Sequence, residues 1–228
     1  MYIYDFFHYT ECIHDKASNK KPLLHQKFNR TDNFIDLALF GAQRCVEKQR
    51  LSKDTSVYLA SRNGNMNTTL KVFDAIFNQN KLPMPFHFLN SVNAAKLFYI
   101  AKSFEIEGKT LFVDRFESAI PQAFVDVQNG KTVLLGSVTE VIEDLKLNTT
   151  LLGSLDPIEE SKWLLLSKKL EGRKALAHIS DIKFGMQKVE NTQFELFEFL
   201  EQGCVGDRFS FYGYNLSFNI EKLTLKET

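Results

Sequence analysis

The chain has 228 residues, 44% hydrophobic and 25% charged, and its Lys and Arg balance its Asp and Glu to a formal net charge of zero. This length suits one domain, or one with a small extension, and the composition is that of a soluble globular protein. Charge balance excludes the basic footprint of a nucleic-acid binder, and no apolar run approaches the roughly eighteen residues that a membrane span needs. No basic stretch followed by an apolar core opens the chain, and the three cysteines, Cys12, Cys45 and Cys204, are scattered without disulfide or metal spacing. A cytoplasmic protein is the expectation.

Residues 1–7 are aromatic and β-branched and read as an opening strand. Residues 8–33 are polar and read as a long loop; His8, His14 and His25 lie in or beside it, at spacings that match no metal-ligand pattern. Asp32 caps a helix that carries Phe34, Leu37, Ala38, Gly41, Ala42 and Cys45 on one face. A short strand over 56–60 leads through Ser-Arg-Asn-Gly-Asn to a helix over 67–79, with Leu70, Phe73, Ile76 and Phe77 expected inward. A loop with Pro83 and Pro85 follows, and then a third helix over 91–104.

The central unit spans 108–141. Thr110, Leu111, Phe112 and Val113 have the composition of a buried strand. Ser118 stands where a helix N-cap belongs, with Pro121 in the first turn. Ala119, Ala123, Phe124 and Val127 repeat at helical spacing, Asn129-Gly130 stops the helix, and 132–138 is a second apolar strand. A strand–helix–strand unit of this kind implies parallel pairing. Beyond it, 146–157 reads as a loop, and 163–167 and 175–182 as two strands of an antiparallel hairpin. Residues 191–202 read as an amphipathic helix and 209–223 as a final strand or hairpin. The expected fold is α/β: a mixed, mainly parallel sheet of about five strands, helices on both faces, 110–113 central and the hairpin at or near an edge.

Chemistry in such folds sits where a strand's carboxyl end meets a helix's amino end. That turn holds Asp114, Arg115, Phe116, Glu117 and Ser118. Ser118 is either a nucleophile or the helix cap; no G-x-S-x-G surrounds it and no partner histidine is nominated, so the cap is expected. Glu117 is either a functional acid or a first-turn acid that suits the helix dipole, and Asp114 and Arg115 can pair. Arg62 lies at the same end of the sheet, in a turn where Asn63, Gly64 and Asn65 allow left-handed backbone. It either grips an anion or satisfies turn carbonyls. His87, between Phe86 and Phe88, reads as a loop histidine packed among aromatics.

Four pieces, LALFGAQRCVE, VYLASRNGNMNTTLKVFDAI, LPMPFHFLNSVNAAKLFYIA and KTVLLGSVTEV, resemble in order and spacing the β-ketoacyl synthase-like N-terminal domain family of the thiolase superfamily. The resemblance covers residues 34–141, and Ser91, Val92, Asn93 and Ala94 match one of its motifs. It implies a thiolase-like half-fold over 1–188, with 189–228 as a helix-plus-strand extension packed on it. In the family a reactive cysteine opens the buried helix, and the following strand ends in a glycine-containing turn, as LLGSVTE does here. Phe116 or Glu117 occupies the cysteine's place, and the second half with its two active-site histidines is missing. The resemblance therefore implies a catalytically silent subunit that binds a ketosynthase, an acyl carrier protein, or both, in fatty acid, aryl polyene or polyketide synthesis. A Ser118-dependent acyltransferase or hydrolase and a pure scaffold are the alternatives. No cofactor is expected beyond the phosphopantetheine-linked acyl group of a carrier. Glu117 and Ser118 are the catalytic candidates, and Arg62, Asn63, Asn93 and Arg115 the ligand-binding ones. One half alone must cover its apolar face internally, with 194–223, or as a homodimer.

Overall fold

The computed structural model describes residues 1–12, 28, 30–47, 50–143, 158–185, 190 and 192–226. The expected loop over 146–157, most of 8–33, and His14 and His25 with it lie outside these residues. In chain order the elements are β1 (Tyr2–Cys12), α1 (Asn33–Cys45), β2 (Ser56–Ala60), α2 (Met66–Phe73) with a π-helical turn over Asp74–Asn78, α3 (Pro85–Ser91), α4 (Asn93–Ser103), β3 (Thr110–Val113), α5 (Phe116–Gln128) and β4 (Val133–Thr139). There follow β5 (Ile158–Ser167), β6 (Ala177–Phe184), α6 (Gln193–Gln202), β7 (Arg208–Gly213) and β8 (Leu216–Lys222).

The α/β class and the helices on both faces are as expected; the sheet is larger and less parallel. Among the described residues it holds eight strands in the order β3-β2-β4-β5-β1-β6-β8-β7. Among the described residues the parallel pairings are β2 with β3 and β2 with β4, and the other pairings are antiparallel. The first five strands do lie side by side, but β3 is at the edge of the sheet rather than its centre. The crossover through α5 carries the chain past β2 to β4, so β3 keeps one neighbour and stays partly exposed.

The expected hairpin is also corrected. β5 and β6 are both strands, but β1 lies between them and pairs antiparallel with each. Local spacing shows two strands and a short connection; it carries no sign that an eleven-residue strand from the chain's start takes the slot between them. A bulge at Tyr4 lets Ile3 and Phe6 both face the same core. The final segment is a hairpin, β7 and β8, turning at Tyr214 and Asn215.

Two cores flank the sheet. On one face α1 and α4 bury Phe34, Leu37, Ala38, Ala42 and Ile100 against Val57, Leu59, Leu134 and Trp163. On the other, α5 and α6 bury Phe116, Ala119, Ala123, Leu196 and Phe197 against Tyr58, Leu135 and Leu164. Gly136 lies inside β4, not in a turn, and it stands opposite Trp163. A β-carbon on Gly136 would fall 2.5 Å from the Trp163 ring, and one on Gly41 of α1 would fall 2.4 Å from it. The indole is thus clamped between two glycines, which explains a glycine inside a buried strand and another on a helix's packed face.

Three further expectations fail, the first because burial overrides a local signal. The helix α5 starts at Phe116, so Ser118 is its third residue rather than its cap, and Pro121 is interior. Burying the Phe116 side chain is worth about 2 kcal/mol, more than the roughly 1 kcal/mol of a serine cap. The loop over 81–88 contains the start of α3, with Pro85 at its first position and His87 exposed on it. Finally, α2 does not bury the face expected of it: Phe73, Ile76 and Phe77 are exposed. Leu82, Met84, Phe88, Leu89 and Phe98 are exposed as well, and Phe77 is 76% and Leu82 96% exposed.

Candidate functional site at the carboxyl end of the sheet

Strands β2 and β3 end side by side, and Ser61 N–H donates to Val113 O across them at 3.0 Å. The chain then turns through Ser61–Asn65, closed by the Gly64 N–H donating to Ser61 Oγ at 3.0 Å, with Gly64 left-handed at φ 59°. Asn65 caps α2 by accepting from Thr68 N–H, and its Nδ2 donates to Asp32 Oδ2 and to Asn90 O. Asp32 also caps α1, through Ile35 N–H, and accepts from the Thr68 hydroxyl at 2.9 Å. One carboxylate thereby ties the starts of α1 and α2 together beneath the turn.

A cleft of about 330 Å³ opens over this turn, lined by Arg62, Asn63, Gly64, Asn93, Phe112 and Asp114 among others. Arg62 is exposed at its rim. Asn63 Nδ2 is buried and finds no acceptor among the described residues. Asn93 opens α4, and its Oδ1 accepts from the Lys96 ammonium, one helical turn on, at 2.8 Å. Lys96 is 1% exposed and lies between the rings of Phe34 and Phe112, 5.2 and 5.3 Å from their centroids. Burial pulls its pKa down to about 8, against the attraction of Asp32 and Glu140. Glu140, just beyond β4, is likewise buried; burial pushes its pKa up to about 8, although Asn67 N–H donates to it at 3.3 Å.

The structure brings Arg62, Asn63 and Asn93 to this one cleft and directs the other nominated residues elsewhere. Arg115 lies 3.7 Å from Asp114 and stacks its guanidinium 4.7 Å from the Tyr214 ring at the β7–β8 turn. Glu117 is half-buried, its Cγ 2.7 Å from where a β-carbon on Gly213 would stand. Ser118 is exposed and donates to Asp114 Oδ1 at 3.2 Å. Phe116, the first residue of α5, is wholly buried and packs edge-on against Phe197 of α6, centroids 6.4 Å apart.

Lys96 and Glu140 escaped the sequence reading because a lysine on an amphipathic helix and a glutamate after a strand normally face water. The Asn93–Lys96 spacing of one turn was the available signal. On the opposite face, His8 shares a 2.7 Å hydrogen bond with Thr10, and the buried Lys162 donates to Glu160 at 2.7 Å. Burial, then the nearby Lys162 charge, lowers the His8 pKa. His178 packs on Tyr2, with ring centroids 4.5 Å apart. Among the described residues no group of three His, Cys, Asp or Glu could hold a metal ion, and no helix is long and apolar enough to cross a membrane.

No protein-family model and no curated protein matches the sequence. Solved structures do match the fold. One is a ketosynthase (ApeO) in complex with its chain length factor (ApeC) from Xenorhabdus doucetiae, at 16% identity and a TM-score of 0.60, covering 83% of this chain and 77% of that one. Another is the ishigamide ketosynthase/chain length factor, at 15% identity and a TM-score of 0.60, covering 69% of this chain. This chain spans half the length of that second match and most of the first. The architecture, an elbow between an edge strand and a buried helix on a mixed sheet, is accordingly a ketosynthase-like fold.

Proposed function

We propose that the chain is a catalytically silent ketosynthase-like subunit that docks on a complete ketosynthase, in the manner of a chain length factor, and shapes the assembly of a polyketide or aryl polyene. The observation that carries this reading is Phe116. Condensation needs a thiolate at the elbow to hold the acyl chain, and the elbow here presents a buried phenyl ring to Phe197 instead. Ser118 is a poor replacement, because its hydroxyl donates to an Asp114 already engaged by Arg115.

Docking is supported by the surface. Among the described residues β3 pairs with β2 alone, and α4 packs on β3 beside the uncovered side chains of α2 and α3. An open strand edge next to a large apolar patch is a liability in an isolated chain and a ready interface in a complex. An acyl carrier protein is the second partner, met at the carboxyl end of the sheet. Co-expression with each ketosynthase of the same genome should give a stoichiometric heterodimer by size exclusion with light scattering. The double variant Phe77→Glu, Phe88→Glu should abolish it and keep the far-ultraviolet circular dichroism of the wild type. A monomer, or a homodimer that excludes every ketosynthase, overturns the reading. So does an acyl adduct formed from acyl carrier protein and lost in Ser118→Ala.

A further inference from the structure

A cleft of about 400 Å³ opens where β1 begins and β5 ends, at the far end of the sheet from the Ser61–Asn65 turn. One wall is the β5–β6 loop, with Arg173 and Lys174; the other is the segment after β8, with Leu225 and Lys226. Backbone bonds join both walls to the sheet. Leu176 N–H donates to Ile3 O at 2.8 Å, and Leu176 O accepts from Leu223 N–H and Thr224 N–H at 2.8 and 3.2 Å. The Thr224 hydroxyl closes the junction by donating to Ala175 O at 2.9 Å. The cleft is therefore shaped before any ligand arrives, which keeps the ordering cost of binding low.

Charge gives the cleft its character. Asp5, at the β1 bulge and 7% exposed, joins the lining. Its Oδ1 accepts from Phe6 N–H at 2.9 Å and from the Lys226 ammonium at 2.8 Å, and its Oδ2 pairs with Arg173 Nη1 at 3.3 Å. One buried carboxylate thus holds a cation from each wall in place. Lys174, which is exposed, adds a third. Among the described lining residues three positive charges stand against one negative, an excess of two in a chain whose net charge is zero. Glu171, the acid of the β5–β6 loop, is exposed and lies outside the lining. A concave surface with an excess of one sign concentrates ions of the other.

We propose that this cleft binds a small organic dianion, a short-chain dicarboxylate whose two acid groups reach the cations of opposite walls, Arg173 and Lys174 on one side and Lys226 on the other. The excess of two charges matches a dianion, and Arg173 brings the planar fork that suits a carboxylate. Tyr4, Leu176 and Leu225 supply apolar lining for the methylenes between the acid groups, a surface that a compact inorganic anion leaves unused. At about 400 Å³ the cleft is within the range of small-molecule pockets. The site is separate from the carboxyl-end cleft, and the inference stands whether or not the chain docks on a ketosynthase.

Calorimetric titration of the whole chain with succinate, glutarate, butyrate and inorganic phosphate, at one ionic strength, tests it. One of the two dicarboxylates should bind about tenfold more tightly than butyrate, which carries a single charge, and more tightly than phosphate. Lys174→Glu reverses a charge at an exposed position of the lining and should weaken that dicarboxylate about tenfold or more. Lys168→Glu, in the same loop but outside the lining, should leave binding within about twofold. Arg173→Gln and Lys226→Gln should each weaken it about tenfold; both also loosen Asp5, so Lys174→Glu decides if either fails to fold. Three results overturn the proposal. The first is no binding of either dicarboxylate at roughly 10 mM, and the second is butyrate or phosphate binding as tightly as both dicarboxylates. The third is an equal effect of Lys174→Glu and Lys168→Glu, which marks a diffuse basic surface instead of a site.

Discussion

Two aromatic faces of this molecule differ only in what lies over them. Above α5 the chain supplies its own cover: Leu196, Phe197 and Leu200 of α6 close on Phe116 and Ala119, and the β7–β8 turn lays Gly213 and Tyr214 over Glu117 and Arg115. Above α2 and α3, Phe73, Phe77, Leu82 and Phe88 meet nothing among the described residues that buries them. Both stretches are rich in phenylalanine and both show helical periodicity. An apolar stripe therefore marks a surface that is stabilised by being covered; whether the cover is the same chain or another molecule is set by tertiary geometry.

The largest test of that contrast is a matched pair of truncations. Phe197→Ala removes the ring that seals the elbow against Phe6 and Phe116 and should cost about 3–5 kcal/mol in urea unfolding. Phe77→Ala removes a ring of the same size from the open face and should stay within about 0.5 kcal/mol. Equal costs at the two sites would mean that the open face is covered in solution, and a concentration dependence would then identify a self-association.

The next effect probes the closed side of α1. Gly41→Ala and Gly136→Ala each drive a β-carbon to about 2.5 Å from the Trp163 ring, so the indole or α1 must shift. Each should cost about 1–3 kcal/mol, with a change in tryptophan fluorescence that Gly130→Ala, beside open space at φ 81°, does not show.

Composition and period located nearly every strand and the long helices, because those are local properties. Partners were not legible: the pairing of β1 between β5 and β6 joins residues more than a hundred apart in the chain. Nor was the start of α5, where Phe116 wins over Ser118 through a contact with Phe197, eighty-one residues away. The cleft was legible in part. Arg62 and Asn63 follow a strand and announce a rim, whereas Lys96 looks like any solvent-facing lysine until Phe34 and Phe112 close on it.

Lys96 and Glu140 also give the inner side of α4 a pH signature. Glu140 is held at about 8 in the fold against 4.5 when free, so the folded state keeps its proton longer and stability falls as pH rises from about 4.5 to 8. Lys96 is held at about 8 against 10.5, so the folded state releases its proton sooner and stability climbs again from about 8 to 10.5. The two contributions meet in a trough near pH 8. Glu140→Gln should raise the thermal midpoint relative to wild type by an amount that grows from pH 5 to pH 8. A difference that does not vary over that range would place the Glu140 proton equilibrium at its unfolded value and rule out the trough.

The smallest expected effect separates the elbow's rim from its floor. Ser118 is exposed, sits at the third position of α5 and gives its proton to Asp114 across 3.2 Å, while the cap position belongs to Arg115, whose backbone is extended and whose side chain makes no cap bond. A capping serine would lose about 1 kcal/mol on replacement by alanine. Here the loss is one solvent-accessible hydrogen bond, and it is offset by the better helix propensity of alanine, about half a kilocalorie. Ser118→Ala should therefore unfold within about 0.5 kcal/mol of wild type in urea, while Phe116→Ala, two residues earlier and wholly buried, should lose about 3 kcal/mol or more. A Ser118→Ala cost near 1 kcal/mol would show that the helix begins at Ser118 in solution, which would release Phe116 from the core and reopen the elbow.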